Sequence, residues 1–195
     1  MECPGAGKSF FARQFAELYS LPRVSEDRIR YELFQDPQYT TEEADIINRM
    51  MYYMIEEAMQ TEQAIVCEGA YLTHTERKAI YDLARQNGYR TLTVWLQTDV
   101  ETAYQRAVKR DRRNPDSKYA FELTQHTFTQ LKDRLQRPTD KEVAVVISGK
   151  HAFKSQNLTV LKKIASVYSS ELLKSQSASS ARPRTGLRST QRFVQ

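Results

Sequence analysis

The heptapeptide Cys3-Pro4-Gly5-Ala6-Gly7-Lys8-Ser9 carries the residue types and spacing of a loop that wraps phosphate. Backbone N–H groups cradle the anion, the lysine reaches the β- and γ-phosphates, and the hydroxyl is suited to Mg²⁺. Gly5 and Gly7 let the main chain approach without a Cβ in the way. Lys8 and Ser9 open a helix whose free N–H groups and positive dipole end favour phosphate. Pro4 through Phe10 are therefore the candidate nucleotide-binding residues, with Lys8 also a catalytic candidate. Two features depart from the full G-x-x-x-x-G-K-[ST] pattern. Glu2 stands where the first glycine belongs, and no buried strand precedes the loop.

Three further groups carry chemistry. Asp27, in Ser25-Glu26-Asp27-Arg28-Ile29-Arg30, follows a short extended segment, and strand ends of this kind are where ligands bind. Its carboxylate is positioned to take a proton from an attacking hydroxyl or to orient it, with Arg30 one turn on for an anionic acceptor. The plain alternative is a first-turn acid favoured by the helix dipole. Glu68 ends the apolar run 64–67, the place of a second carboxylate that orients water on Mg²⁺, or simply of an acid closing a strand. Glu68 is accordingly a metal candidate with Ser9, and with Arg30 a substrate-side candidate. Arg106, Lys109, Arg110, Arg112 and Arg113 gather at a helix end before a polar, proline-containing loop. An arginine closing over the γ-oxygens supplies large rate gains, and Arg110 and Arg113 are the candidates. Cations at a helix C-terminus are also stabilising on their own account.

The elements that must hold these groups alternate. Phe11, Phe15 and Leu18 mark a core-facing helix after the loop. The segment 21–24 reads as extended, and Ser25 as the N-cap of a helix to about Phe34. Over 41–60, Ile47, Met50, Met51, Met54, Ile55 and Ala58 form one apolar face. Apolar runs at 64–67, 92–96 and 143–147 are nearly continuous, as for strands covered on both faces, and helical patterns follow at 74–87, 99–111 and 156–173. A further helix is expected over 119–135. Thr40/Glu43, Thr73/Glu76 and Thr98/Glu101 have capping-box spacing. The alternation predicts a three-layer α/β fold with a mostly parallel sheet, and the phosphate loop at its head marks a P-loop NTPase whose first strand is missing or truncated. Residues 1–174 form the expected nucleotide-binding domain, with 106–135 as its lid region, and 175–195 a disordered basic tail.

The 195 residues carry a net charge of +5, but the tail contributes four arginines and no acid. The rest has 25 basic against 24 acidic residues, so the high pI belongs to the tail. No apolar stretch has the length of a membrane span, and no secretory leader pattern opens the chain. Two cysteines without metal-ligand spacing make a reducing cytoplasm the default, and three scattered histidines form no zinc pattern.

The loop, Asp27 with Arg30, the strand ending at Glu68 and the Arg106–Arg113 helix end resemble, in order and spacing, a group of P-loop kinases. These are the phage-type polynucleotide 5′-kinases and zeta-toxin-like proteins, and the resemblance spans roughly residues 3–165. It implies ATP and Mg²⁺ at Lys8 and Ser9, Asp27 as general base, Arg30 on the acceptor, and a lid arginine over the γ-phosphate. It also implies a central strand ahead of the loop, and hence several more apolar residues upstream of Met1. The leading expectation is an ATP-dependent kinase acting on a hydroxyl of a small molecule or nucleic-acid end. An ATP-binding switch without transfer is the alternative, motivated by Glu2 and the absent strand. Nucleic-acid binding through the arginine tail ranks third. A dinucleotide-binding dehydrogenase lacks its third glycine, and a switch GTPase lacks D-x-x-G and N-K-x-D.

Overall fold

The computed structural model describes residues 2–69, 71–110, 119 and 123–180, with side chains to residue 169. Gly7 sits at the N-cap of α1 (Lys8–Tyr19), so the phosphate-loop sequence runs straight into a helix start. Phe11, Ala12 and Ala16 face inward on α1, and Phe11 stacks on Phe15 and on Phe153. The extended segment becomes β1 (Arg23–Ser25), and Ser25 N-caps α2 (Glu26–Leu33) without a side-chain hydrogen bond.

Helix α3 (Thr41–Met59) buries Ile47, Met51, Ile55 and Met59 against Val24 of β1 and Ile29 of α2. The expected face is thus corrected by part of a turn. Met54 is exposed, and Met59, outside the expected stripe, is buried. Strand β2 (Val66–Glu68) pairs in parallel with β1, Ser25 opposite Glu68, so the ends of both strands meet where chemistry was expected. Helix α4 (His74–Gln86) starts with the full reciprocal capping box of Thr73 and Glu76. Strand β3 (Thr93–Gln97) pairs in parallel with β4 (Ala144–Ser148). Between them in sequence lie α5 (Val100–Val108) and α6 (Gln125–Asp133), and α7 (Phe153–Ser180) follows.

The expectation that every strand is covered on both faces fails for β4. Val145 and Ile147 are buried while Val146 is 48% exposed, an alternation that marks one solvated face. Among the described residues the sheet consists of two parallel pairs, β1–β2 and β3–β4, with no ladder between them. Loop 3–9 and α1 bridge the pairs. Helix α1 packs on β1 and β2, while Ala6 lies against the ends of β3 and β4. Residues 1–160 form one compact unit, and the described part of the second unit, 161–180, is the continuation of α7. That helix runs through 175–180, where the sequence suggests a disordered tail.

Candidate nucleotide and acceptor site

The loop is built to a close tolerance by α5. Gly5 has φ +82°, and a Cβ there would come within 1.9 Å of the Ala103 carbonyl oxygen, so only glycine fits. Thr98 Oγ1 donates to the Ala6 carbonyl at 3.2 Å. That hydroxyl is therefore not the cap of α5; Asp99 is, accepting from the Thr102 amide, which corrects the expected Thr98/Glu101 box. Gly149, just past β4, lies so close to Thr98 and Ala6 that a side chain would displace the loop. Thr98 and Gly149 are site residues that sequence reasoning missed. A glycine directly after an apolar run was the available signal for one of them.

Glu2 does not direct its carboxylate at the phosphate cradle. Its Oε1 accepts from the Cys3 amide at 3.0 Å and its Oε2 from the indole of Trp95 on β3. The Cys3 thiol, pushed up to about 12 by burial and then by Glu2, stays protonated and unreactive. Lys8 Nζ donates to the carbonyls of Glu2 (2.7 Å) and Cys3 (3.0 Å), which fix the ammonium at the loop. Burial lowers the Lys8 pKa; Asp27 and Glu68 oppose that shift, and Arg110 adds to it.

Those same groups act on Asp27. Burial first, then Glu26 and Glu68, raise its carboxyl to about 6, outweighing the opposing pull of Lys8 and Arg110. Arg110 in turn is lowered by burial and raised by Asp27 and Tyr39. The fold thus brings Lys8, Glu68 and Arg110 within electrostatic reach of Asp27. Arg106, of the same cluster, instead donates to the Gly149 carbonyl. Arg113 lies outside the described residues. Ser9 is half-buried on the first turn of α1, and Phe10 is exposed on it.

Arg30 is 4% exposed. Its Nη2 donates to Glu26 Oε1 at 3.2 Å, Nη1 lies 3.5 Å from Glu43 Oε2, and its guanidinium covers the Tyr39 ring at 4.7 Å. Nε and Nη1 have no hydrogen-bond acceptor among the described residues. Glu68 is also buried, 3.7 Å from Arg23, and its Oε2 has no hydrogen-bond partner among them. Buried donors and acceptors of this kind are normally satisfied, so each calls for a reason. An anionic acceptor suits Arg30. A hard cation or its water suits the Glu68 oxygen, because Mg²⁺ takes one or two protein oxygens and completes its shell with phosphates and water. Among the described residues no group of three or more His, Cys, Asp and Glu forms a cage of its own. Glu26 and Tyr39 had no distinguishing signal in the sequence, and Glu43 had only that of a helix cap. Their roles come from the packing of α2 on α3.

A glycine-lysine-serine loop opening a helix, parallel strands, and carboxylates at the strand ends define a P-loop NTPase. The chain belongs to the AAA domain family, which it matches over residues 3–138. Its fold is shared with a gluconokinase from Sinorhizobium meliloti 1021, at TM-score 0.62 and 14% identity over 90% of this chain and 94% of that one. A sugar kinase from Janibacter sp. HTCC2649 superposes at 0.61, with 14% identity over 85% and 91%. An APS kinase from Mycobacterium tuberculosis, solved with AMPPNP and APS, superposes at 0.58, with 14% identity over 85% and 94%. No curated protein sequence matches the chain. No described helix is long and apolar enough to cross a membrane.

Proposed function

We propose that this chain is an ATP-dependent phosphotransferase that moves the γ-phosphoryl group to a hydroxyl of a small anionic acceptor. The observation that carries the reading is the convergence on Asp27, whose raised carboxyl lies within reach of Lys8, Glu68 and Arg110. Asp27 accepts the proton of the acceptor hydroxyl as that oxygen bonds to the γ-phosphorus and the bond to the β,γ-bridging oxygen breaks, leaving ADP. Lys8 and the loop amides hold the β- and γ-phosphates, and Arg110, within electrostatic reach of Lys8 and Asp27, neutralises charge on the migrating group. Arg113 is the second candidate for that role. Mg²⁺, when bound, offsets charge on the phosphate oxygens, and Ser9 and Glu68 are the residues that would hold it. Arg30 binds the negative group of the acceptor, one helical turn from Asp27.

Fold neighbours that are small-molecule kinases, one of them holding AMPPNP, support the reading. The resemblance to polynucleotide 5′-kinases and zeta toxins adds a 5′-hydroxyl oligonucleotide and nucleotide-sugars to the acceptors to be tried. Labelled ATP and Mg²⁺ are incubated with that panel together with gluconate, APS and nucleosides. Acceptor-dependent transfer is expected, lost in Asp27→Asn while ATP still binds. ATP binding without transfer to any of them would assign a nucleotide-dependent switch instead.

A further inference from the structure

We infer that Glu43 is a positioning residue for acceptor binding, acting through Arg30 and Tyr39. The inference rests on the reading of Arg30 as the acceptor's anion-binding group.

The spacing of Thr40 and Glu43 calls for a reciprocal capping box, and only half of it forms. Thr40 Oγ1 accepts from the Glu43 amide at 3.2 Å. The Glu43 carboxylate does not return to Thr40. Its Oε1 accepts from the Gln38 amide at 2.8 Å and its Oε2 from the Tyr39 amide at 2.7 Å. Both oxygens are spent on the loop between α2 and α3, in a residue only 8% exposed. Oε2 is also the atom 3.5 Å from Arg30 Nη1. A carboxylate diverted from its local cap to two amides one and two residues farther back holds that loop in a fixed shape.

The shape has a cost that something must offset. Tyr39 is in the left-handed region at φ +56°, which a non-glycine residue adopts only at a cost in free energy. In that conformation its ring lies against the Arg30 guanidinium. Glu26 restrains one end of the guanidinium, Tyr39 covers a face, and Glu43 sits beside Nη1. The head group is held by charge and stacking while Nε and Nη1 keep donors for an incoming anion. Glu43 touches both the loop backbone and the guanidinium. Removing its charge therefore loosens the Tyr39 backbone and the Nη1 side of Arg30, with Glu26 still holding Nη2.

The test uses the full chain loaded with Mg²⁺ and AMPPNP, so that the phosphate loop is occupied, and inorganic sulfate as the probe anion. The Nε–H resonance of Arg30, assigned by its loss in Arg30→Lys, reports both ring stacking and sulfate binding. Glu43→Gln keeps the size but presents an amide N–H₂ to one of the two backbone donors. It is expected to weaken sulfate binding at Arg30 by about tenfold to a hundredfold, the range for a lost charge-assisted hydrogen bond. The ring-current shift of the resonance should shrink, with AMPPNP affinity unchanged. Glu43→Asp, which keeps the charge, should recover part of both. Tyr39→Gly should weaken sulfate similarly, and Glu43→Gln added to it should cost little more. Unchanged sulfate affinity and ring-current shift in Glu43→Gln overturn the inference. So does a parallel loss of AMPPNP affinity and thermal stability, which would make Glu43 a merely structural residue. Sulfate that leaves the wild-type Arg30 signal unmoved would remove Arg30 from the acceptor site and this inference with it, while the transfer assay would still stand for Asp27.

Discussion

Asp27 is the residue at which stability and proposed activity pull in opposite directions. Its carboxyl is raised to about 6, first by burial and then by Glu26 and Glu68. The native state therefore holds a proton that the unfolded chain, with an ordinary carboxyl near 4, has already lost. Stability falls as pH rises from about 4 to about 6, and the ionised carboxylate costs the fold about 1–3 kcal/mol at neutral pH. Asp27→Asn should thus raise Tm at pH 7, by an increment that vanishes below pH 4. The same substitution should lower phosphoryl transfer by about 10²- to 10⁴-fold, the usual contribution of a general base. In the wild type, kcat/KM should rise with pH and level off above about 6, as the base loses its proton. A pH profile flat from 5 to 8 would count against Asp27 as the base, and a Tm that fell would count against the burial argument. As candidates, the loop lysine, Asp27, Arg30 and Glu68 were all legible in the sequence, because motif spacing and strand ends locate them. Tyr39 and Glu43 were not. One is held in a backbone region that its type disfavours, and the other leaves its expected cap for contacts set by the tertiary bend.

At the scale of elements, periodicity and capping chemistry located the helices and strands, and the misreadings have specific physical origins. Thr98 has capping-box spacing, but its hydroxyl is drawn to the Ala6 carbonyl and Asp99 caps α5 in its place. Met54 fits an apolar stripe on paper, yet α3 turns Met59 toward the core instead. No local pattern announced how the segment after α6 is anchored. Arg77 of α4, 3% exposed, donates through Nε to Glu142 Oε2 at 2.7 Å and through Nη2 to Glu142 Oε1 at 3.1 Å. Its Nη1 donates to the Leu72 carbonyl, and the Gln136 amide donates to that same carbonyl. Tyr81 and the Thr139 amide also donate to Glu142, and His74 lies 3.0 Å from it. The cluster joins the residues after β2, the segment after α6 and the approach to β4. Burial raises the Glu142 carboxyl, but the hydrogen bonds from Arg77, Tyr81 and Thr139 prevail and hold it at about 2. A depressed carboxyl stabilises above its unfolded value and loses that contribution as pH falls through its folded one. Acid titration should therefore remove about 2–3 kcal/mol between about pH 4.5 and pH 2 in the wild type. Arg77→Met, which leaves Glu142 buried without its main partner, should cost about 3–5 kcal/mol at pH 7 in chemical denaturation and flatten that acid limb. An acid limb of unchanged size in the variant would show that Arg77 is not what holds the carboxylate ionised.

For the whole molecule, the decisive property is that two parallel strand pairs have no hydrogen-bond ladder in common among the described residues. What links them is the phosphate loop and its helix. Helix α1 packs on β1 and β2, Ala6 receives Thr98 and abuts Gly149 at the ends of β3 and β4, and Gly5 presses on α5. A ligand that grips the loop therefore grips both halves at once, and its binding free energy is shared between them. Anything that binds only the native state stabilises it by RT ln(1 + [L]/Kd), about 2.7 kcal/mol at a hundredfold excess over Kd. Mg²⁺-AMPPNP at that excess should raise Tm, and amide exchange should slow in both strand pairs by comparable factors. That equality is expected because amides in both pairs should open through the same loss of the bridging loop. Protection confined to β1 and β2 would mean that the halves open independently and that the loop does not couple them. Lys8→Ala removes the ammonium held on the Glu2 and Cys3 carbonyls and should abolish the ligand-dependent part in both pairs alike. Exchange measured with and without the nucleotide analogue thus tests in one experiment whether the loop binds a triphosphate and whether it is the mechanical centre of the fold.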